Sequence, residues 1–521
     1  MSRWLARALS LRTRAAWLAG LGLIGLAGAA LARVGGGETF GGGGGGGDWG
    51  GGGGGGGGDG TGELLGWLVF LAVRHPYVGI PLLVAVAVGW HLGRRRRQAQ
   101  GPPLAAQEAV LRMRAVGLAR RRGMLQEQLA PLLEDDPHFS ELLFLDFAQM
   151  IYTRFQEARG GPAAEGLGPY LSEELMERLE RIGRQLGPGA LAVDSVVVGA
   201  VRLDGVTRLE GLWLLGCELE ANYTERLAVE GQPAREQAYY ARARLMFRRR
   251  TGVRSRGPET IRTLGCPGCG SPVKLDAENL CAYCGRPAEP GLFHWELQDI
   301  EELSRMQRAQ APLPAGGEEL GVGLPTVFHP ELDARSRAFG LRYPGESLRR
   351  LEERAREVFL LLQQAWTSGE WEQARGLETD RLFQMHLFWM DRYRARGLQN
   401  VLEDIEVHEV ILVKLDRDAF FELATVRIKA RMRDYTVDAQ GQVVAGRQDR
   451  PRTFSEYWTF LRRAGFEPRT DGQADASQCP SCGAPAKVGM HGRCEYCDAH
   501  LTAGEFDWTL ALIEQDEAYG G

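Results

Sequence analysis

Cys266-Pro267-Gly268-Cys269 with Cys281-Ala282-Tyr283-Cys284, and, 213 positions further on, Cys479-Pro480-Ser481-Cys482 with Cys494-Glu495-Tyr496-Cys497, are the strings that organise this 521-residue chain. Their neighbours recur at the same offset. Gly270, Pro272, Lys274, Gly291, Phe293, Trp295 and Leu297 return as Gly483, Pro485, Lys487, Gly504, Phe506, Trp508 and Leu510. A period above about 200 residues denotes a duplicated domain, since solenoid units run at about 20 to 50 residues. Each unit is therefore expected to fold largely on its own.

The likeness extends upstream of the cysteines. Phe144, Phe147, Ile151, Phe155 and Ala158 are spaced by three and four, the apolar stripe of a helix. Leu348, Leu351, Ala355, Val358, Leu362 and Ala365 repeat that stripe in the second unit. Further on, Tyr239, Ala241, Ala243, Leu245 and Phe247 alternate with Arg242 and Arg244. In the second unit Ala424, Val426, Ile428, Ala430 and Met432 alternate with Arg427, Lys429, Arg431 and Arg433. Helices first and antiparallel strands afterwards predict an α+β class, a sheet covering helices in each unit. Ser304 to Arg335, rich in Ala, Pro, Gly and Glu, reads as a linker.

Charge divides the chain further. Met1 to Gly93 carries +2, Arg94 to Ala130 +7 and Pro131 to Gly521 −14, so a basic collar precedes an acidic body. Ahead of the collar, residues 1–32 combine four arginines with an apolar run and a small-residue end, a signal peptide or first membrane helix. Residues 33–63 form a glycine-rich spacer; 21 of the 28 residues from Gly35 to Gly62 are glycine, which cannot bury a core. A second apolar stretch, 64–92, is broken by Arg74-His75-Pro76 and reads as a transmembrane segment. Arg94, Arg95, Arg96 and Arg97 follow at once, and basic residues flanking a span stay on the cytoplasmic side. They also suit anionic lipid, together with Arg112, Arg114, Arg120, Arg121 and Arg122 of the helix predicted within 93–135.

Asp136-Pro137-His138-Phe139, the run through Gln156-Glu157-Ala158, and Gln363-Gln364-Ala365-Trp366-Thr367-Ser368-Gly369-Glu370 resemble the opening helices of the Tim-forty-four-like family. That family is named for a matrix-side, membrane-associated subunit of the mitochondrial preprotein translocase. Its bacterial members show a similar head of signal-like start, glycine-rich stretch and membrane segment. The resemblance implies a nuclear-transport-factor-two-like cone, a sheet wrapped round an apolar pocket. It also implies a link to protein translocation, and with the arginine flank, which puts the soluble domains on the cytoplasmic side, the expected setting is a bacterial inner membrane and a protein partner. Two copies, each followed by a four-cysteine module, depart from the single-domain family pattern; the resemblance and the cysteine pairs together place the first domain over 136–264, its zinc ribbon over 265–302, a linker over 303–335, the second domain over 336–465 and its ribbon over 478–521.

The cysteine spacing, two pairs each separated by two residues, lets both sulfurs of a knuckle face one ion. Cys266, Cys269, Cys281 and Cys284 form one predicted zinc site, and Cys479, Cys482, Cys494 and Cys497 the other. Spacing alone leaves iron open. His491 and His500 lie beside the second set, but four thiolates already close a tetrahedron. With no open coordination position the ions are expected to be structural. Each module carries two bases against seven acids, which disfavours nucleic acid; Phe293/Trp295 and Phe506/Trp508 read instead as strands docked on the ribbons. Cys217 is expected to be a buried thiol.

The body lacks the zinc-protease, phosphate-loop and hydrolase-elbow patterns, so no catalytic residue is assigned. The leading expectation is a membrane-tethered, non-enzymatic scaffold. One alternative is a pocket enzyme or small-ligand sensor using Tyr223, Asp404, Asp434 or Tyr435. Another is ribosome or RNA contact through the collar. The arginine-bearing strand faces, Arg242 to Arg250 and Arg427 to Arg433, bind an acidic partner or pair within their own domain; the acidic excess favours the second.

Overall fold

The computed structural model describes residues 104–159, 166–187, 190–228, 233–258, 280–281, 294–307, 322–466, 479, 481–485, 488, 493–497, 499, 501–502, 504–516 and 518–521. The expected signal segment, glycine-rich spacer, membrane segment and Arg94 to Arg97 all lie outside them. Among the described residues no helix is long and apolar enough to cross a membrane.

Among the described residues the chain is mixed α and β with two antiparallel sheets. Helix α1 (Leu104–Asp135) leads to α2 (Glu141–Ala158) and α3 (Glu173–Leu186), then β1 (Leu191–Leu209), β2 (Leu212–Leu227), β3 (Arg235–Arg250) and β4 (Glu296–Gln307) in that order across the first sheet. The second half repeats the order: α4 (Leu332–Arg342), α5 (Leu348–Ser368), α6 (Asp380–Arg394), then β5 (Gln399–Arg417), β6 (Phe421–Val437), β8 (Arg452–Arg463) and β9 (Thr509–Gln515). A short β7 (Val443–Gly446) pairs with β6 off this path. Helices α2, α3 and α5 start where the sequence offers a serine N-cap. Ser140, Ser172 and Ser347 accept from the backbone N–H of Leu143, Leu175 and Arg349 respectively, satisfying donors the helix cannot. Gly369, in the left-handed region at φ 76°, ends α5.

Matching irregularities recur in the two halves. Against β2, β1 shifts register between Asp194 and Val197, Val198 and Ala200, and Leu203 and Gly205. Against β6, β5 shifts between Glu403 and Glu406, Val407 and Glu409, and Leu412 and Lys414, each 209 positions later. The first bulge of each strand holds a non-glycine residue at positive φ, Ser195 at 53° and Asp404 at 51°. Bulges bend a strand and raise its twist, so shared bulges mean shared curvature. The last hairpins agree too, with a shift at Met246/Phe247 against β4 and at Thr459/Phe460 against β9.

Two sequence expectations are corrected. Residues 296–302, given to the first ribbon, belong to β4, which pairs with β3 from Tyr239↔Gln307 to Arg248↔Glu296. Residues 509–515 of the second ribbon form β9 on β8. Each cysteine segment is thus inserted between the last two strands of a sheet instead of following it. Trp295 and Trp508 dock into the sheet cores, and Leu297 and Leu510 are completely buried there. The linker is also shorter than expected: Ser304 to Gln307 end β4, Leu332 opens α4, and Leu324 is buried, its carbonyl accepting from Arg427 at 2.9 Å.

Nor do the halves pack independently. The first core joins Phe147, Ile151, Phe155, Leu215 and Leu245 with Phe421, Leu461 and Ala511 of the second half. The turn before β6 reaches the start of α2 and the segment after β3: Asp418 accepts from Ser140, Phe420 packs edge-on to His138 at 6.1 Å, and a Cβ at Gly257 would come 3.5 Å from the Phe420 ring. In return, Val197 of β1 and Tyr240 of β3 pack into the second core, and Arg381 faces Asp146 at 3.6 Å. Leu125, Leu129 and Leu132 of α1 belong to the first core as well, so this body begins ahead of residue 136. The cause is incomplete closure: apolar surface left open by one sheet and its helices is covered by the other half.

Candidate metal centre

Cys479, Cys482, Cys494 and Cys497 converge, with their four sulfurs all within 4.8 Å of one another. Cys479 Sγ lies 3.8 Å from Cys497 Sγ, and Cys482 Sγ 3.9 Å from Cys494 Sγ. Four sulfurs bound at about 2.3 Å around a tetrahedral ion stand about 3.8 Å apart, so the set fits one metal ion. Tight turns bring them there. Gly483, at φ 72°, donates to the Cys479 carbonyl at 2.8 Å, and Cys479 and Cys494 donate their own backbone N–H groups to Ala484 and Ala499 at 2.6 and 2.9 Å. Val488 pairs with Cys494, and Leu501, Val488 and Phe506 close over the buried pair Cys479 and Cys494, leaving Cys482 and Cys497 exposed.

The electrostatics of the sulfurs are uneven. A backbone hydrogen bond from Ala499 leads in lowering the Cys497 thiol to about 7. The backbone at Ala484 pulls the Cys482 thiol down, but partial desolvation within the sulfur cluster and hydrogen bonds to the neighbouring sulfurs outweigh it and push it up to about 12. Four crowded thiols resist joint ionisation unless a cation neutralises them, and soft thiolates select zinc or iron. Of the first set only Cys281, buried, lies among the described residues; Cys266, Cys269 and Cys284 lie outside them, as do His491 and His500.

Each insertion is anchored by a motif that sequence reasoning overlooked. Arg249, at the end of β3, lies over the Trp295 ring at 4.3 Å and pairs with Asp136 at 2.8 Å. Arg462, at the end of β8, lies over the Trp508 ring at 4.5 Å and pairs with Glu346. All four charged side chains are almost wholly buried, and both pairs tie the last hairpin to the segment before a helix. The signal was available: Arg249 and Arg462 stand 213 positions apart, like the tryptophans they cover.

The pocket candidates do not converge. Tyr223 is buried against Tyr239 and Arg305, Asp404 is exposed on its bulge, and Asp434 accepts from Asn400 at 2.9 Å beneath β7. Tyr435 accepts a hydrogen bond from Gln448 at 3.3 Å. Another acid is fully buried: Glu378, whose carboxyl burial pushes up, meets His386 Nδ1 at 2.8 Å inside the second core. Cys217 is fully buried and its thiol is pushed up by burial. The arginine-bearing faces pair within their own sheets, Arg244 with Asp204, Glu218 and Glu301, Lys429 with Glu409, and Arg433 with Asp404. Arg427 is buried on Asp516 at 2.9 Å. In the collar helix Arg122 pairs with Glu141 at 2.9 Å, whereas Arg120 and Arg121 are exposed.

With this geometry in view, the Tim44-like domain family matches residues 334–473, from α4 through β8. The four-cysteine set begins just beyond the matched stretch. Among solved structures the chain is similar to the intermembrane space region of the chloroplast protein ARC6, at 13% identity over 31% of this chain and 96% of that one, with a TM-score of 0.17. It is also similar to an Ntf2 like protein involved in plasmid conjugation, at 10% identity over 62% of this chain and 96% of that one, with a TM-score of 0.14. No curated protein matches the chain.

Proposed function

We propose that the chain is a non-enzymatic, membrane-tethered protein that presents a duplicated Tim44-like body to a protein partner on the cytoplasmic face of a bacterial inner membrane. The Tim44-like match over residues 334–473 is the observation that carries this reading. The recurring bulges of β1 and β5, and the recurring Arg249–Trp295 and Arg462–Trp508 stacks, support a second copy of the same cone-like domain upstream. Arg94 to Arg97 hold the body to anionic lipid, and a segment within 64–92 spans the bilayer. The family resemblance points to preprotein translocation as the setting.

Each four-cysteine insertion holds one structural zinc ion. In the second, Cys479, Cys482, Cys494 and Cys497 supply all four ligands, so the ion offers no open position for Lewis-acid chemistry and serves to close the loop between β8 and β9. The acidic balance of both insertions favours a protein partner over nucleic acid.

Proximity labelling in intact membranes tests the reading, with the full chain compared against a variant carrying Phe420→Ala and Arg381→Ala. The expected result is reproducible labelling of membrane-protein export components by the full chain, weakened in the variant. Labelling of no protein, with a small metabolite co-purifying stoichiometrically, would overturn it in favour of a ligand-binding cone.

A further inference from the structure

Two features of the second cysteine set concern neither its fit to a metal nor its place in the fold. The first is exposure: Cys482 and Cys497 face solvent, while Cys479 and Cys494 are buried. The second is contact across the knuckles. The 3.8 Å approach joins buried Cys479 to exposed Cys497, and the 3.9 Å approach joins exposed Cys482 to buried Cys494. Every exposed sulfur therefore has a buried one in near contact on the opposite knuckle.

We propose that this set is a peroxide-reactive site that releases its metal by forming two cross-knuckle disulfides, Cys479–Cys497 and Cys482–Cys494. The inference rests on the zinc reading above. In the first step the exposed Cys497 or Cys482 thiolate attacks hydrogen peroxide, the O–O bond breaks, a sulfenic acid forms and hydroxide leaves. The buried partner thiolate then attacks that sulfenic sulfur, the S–S bond forms and a second hydroxide leaves. Each disulfide takes two electrons from two thiolates and reduces one peroxide, the two hydroxides leaving as water after protonation. Two peroxides convert all four ligands, and a zinc ion without thiolates departs.

The arrangement suits the chemistry at both steps. Oxidation selects accessible thiolates, and in each of these two approaches, at 3.8 and 3.9 Å, one sulfur is accessible and the other buried. A resolving thiol must already stand beside the sulfenic acid, or oxidation continues irreversibly to sulfinic and sulfonic acids. Because the disulfides cross between knuckles, the oxidised loop stays closed after the metal leaves, and reduction restores the ligand set.

The sequence makes the test direct. Lys487 and Arg493 lie between the knuckles, so trypsin separates Cys479 and Cys482 from Cys494 and Cys497 unless a cross-knuckle bond joins them. The full chain in detergent is assayed for metal by elemental analysis, treated with graded hydrogen peroxide, blocked with a thiol reagent and digested without reduction. The expected result is zinc appearing in solution in step with one joined peptide, which fragmentation assigns to 479–497 and 482–494 and which dithiothreitol separates. Disulfides within the knuckles (479–482 or 494–497), sulfinic or sulfonic acid on Cys482 and Cys497, or an unmodified set would each overturn the proposal. Absence of metal before treatment would sink the zinc reading separately, and the peptide map would still decide the disulfide pattern.

Discussion

Asp136→Ala tests what holds the first cysteine insertion to its sheet. The Asp136 carboxylate is completely buried, Arg249 is 1% exposed, and they meet at 2.8 Å with the guanidinium also lying on Trp295. The same carboxylate accepts from the Ser255 backbone N–H at 2.9 Å and from its hydroxyl at 2.6 Å. Truncation leaves the buried cation without its ion-pair partner, held by the Ser255 hydroxyl at 3.0 Å and the Trp295 ring, and strands the Ser255 N–H. Breaking one side of a buried ion pair costs about 3–5 kcal/mol, and a stranded buried donor about 1–3 more where no water reaches it. We expect a loss of about 4 kcal/mol, with Asp136→Ala/Arg249→Met recovering about half, because the double change removes the orphaned charge. The assay is urea unfolding of the full chain in detergent, followed through hydrogen exchange in β3 and β4. A loss below about 1 kcal/mol, or a double variant weaker than the single, would refute the reasoning.

Other perturbations probe the remaining links. Phe420→Ala should cost about 1–3 kcal/mol and lower exchange protection in α2 as well as in β6, because the ring serves the first core; protection lost only in the second half would contradict a shared core. Gly504→Ala should disorder the return from the second cysteine loop, since a Cβ there would lie 2.8 Å from Arg462 Cα at a φ of 70°; an unchanged melting temperature would rule that out. Burial and then the nearby Arg249 charge lower His294 from its ordinary 6.5 to about 3. Between those values the unfolded chain binds the extra proton. The stability contributed by neutral His294 is complete above about pH 6.5 and is lost as pH falls toward 3, about 2 kcal/mol by pH 4 after allowance for its partial exposure. His294→Phe should flatten that part of the stability–pH profile, and an unaltered slope would exclude the assignment.

What could be read from sequence follows from how each element signals itself. The stripes of α2 and α5 were legible because their apolar residues face one core at helical spacing, and all but Leu348, which is half-buried, prove buried. β3 and β6 were legible because, as inner strands, they alternate apolar residues with charged or polar ones in sequence, although on β6 Thr425 and Arg427 of the second face are buried too. β1 and β5 escaped notice: three bulges apiece break the alternation, and runs such as Val196-Val197-Val198 then fit no single period. β4 and β9 were assigned to the ribbons because they stand beside cysteines in sequence, whereas their partners lie across the insertion. The sulfur cluster at Cys479, Cys482, Cys494 and Cys497 was legible from spacing alone, since two-residue gaps constrain geometry locally. The shared core had no such signature, because the contacts of Phe420, Leu461 and Ala511 with the first half depend on packing over long separations.

Native mass spectrometry of the full chain released from detergent tests the central claim most directly, read beside a Cys494→Ser variant. The account predicts two zinc ions on the unaltered chain and one on the variant. A chain carrying no metal, or a variant that keeps the same metal content as the unaltered chain, would contradict it.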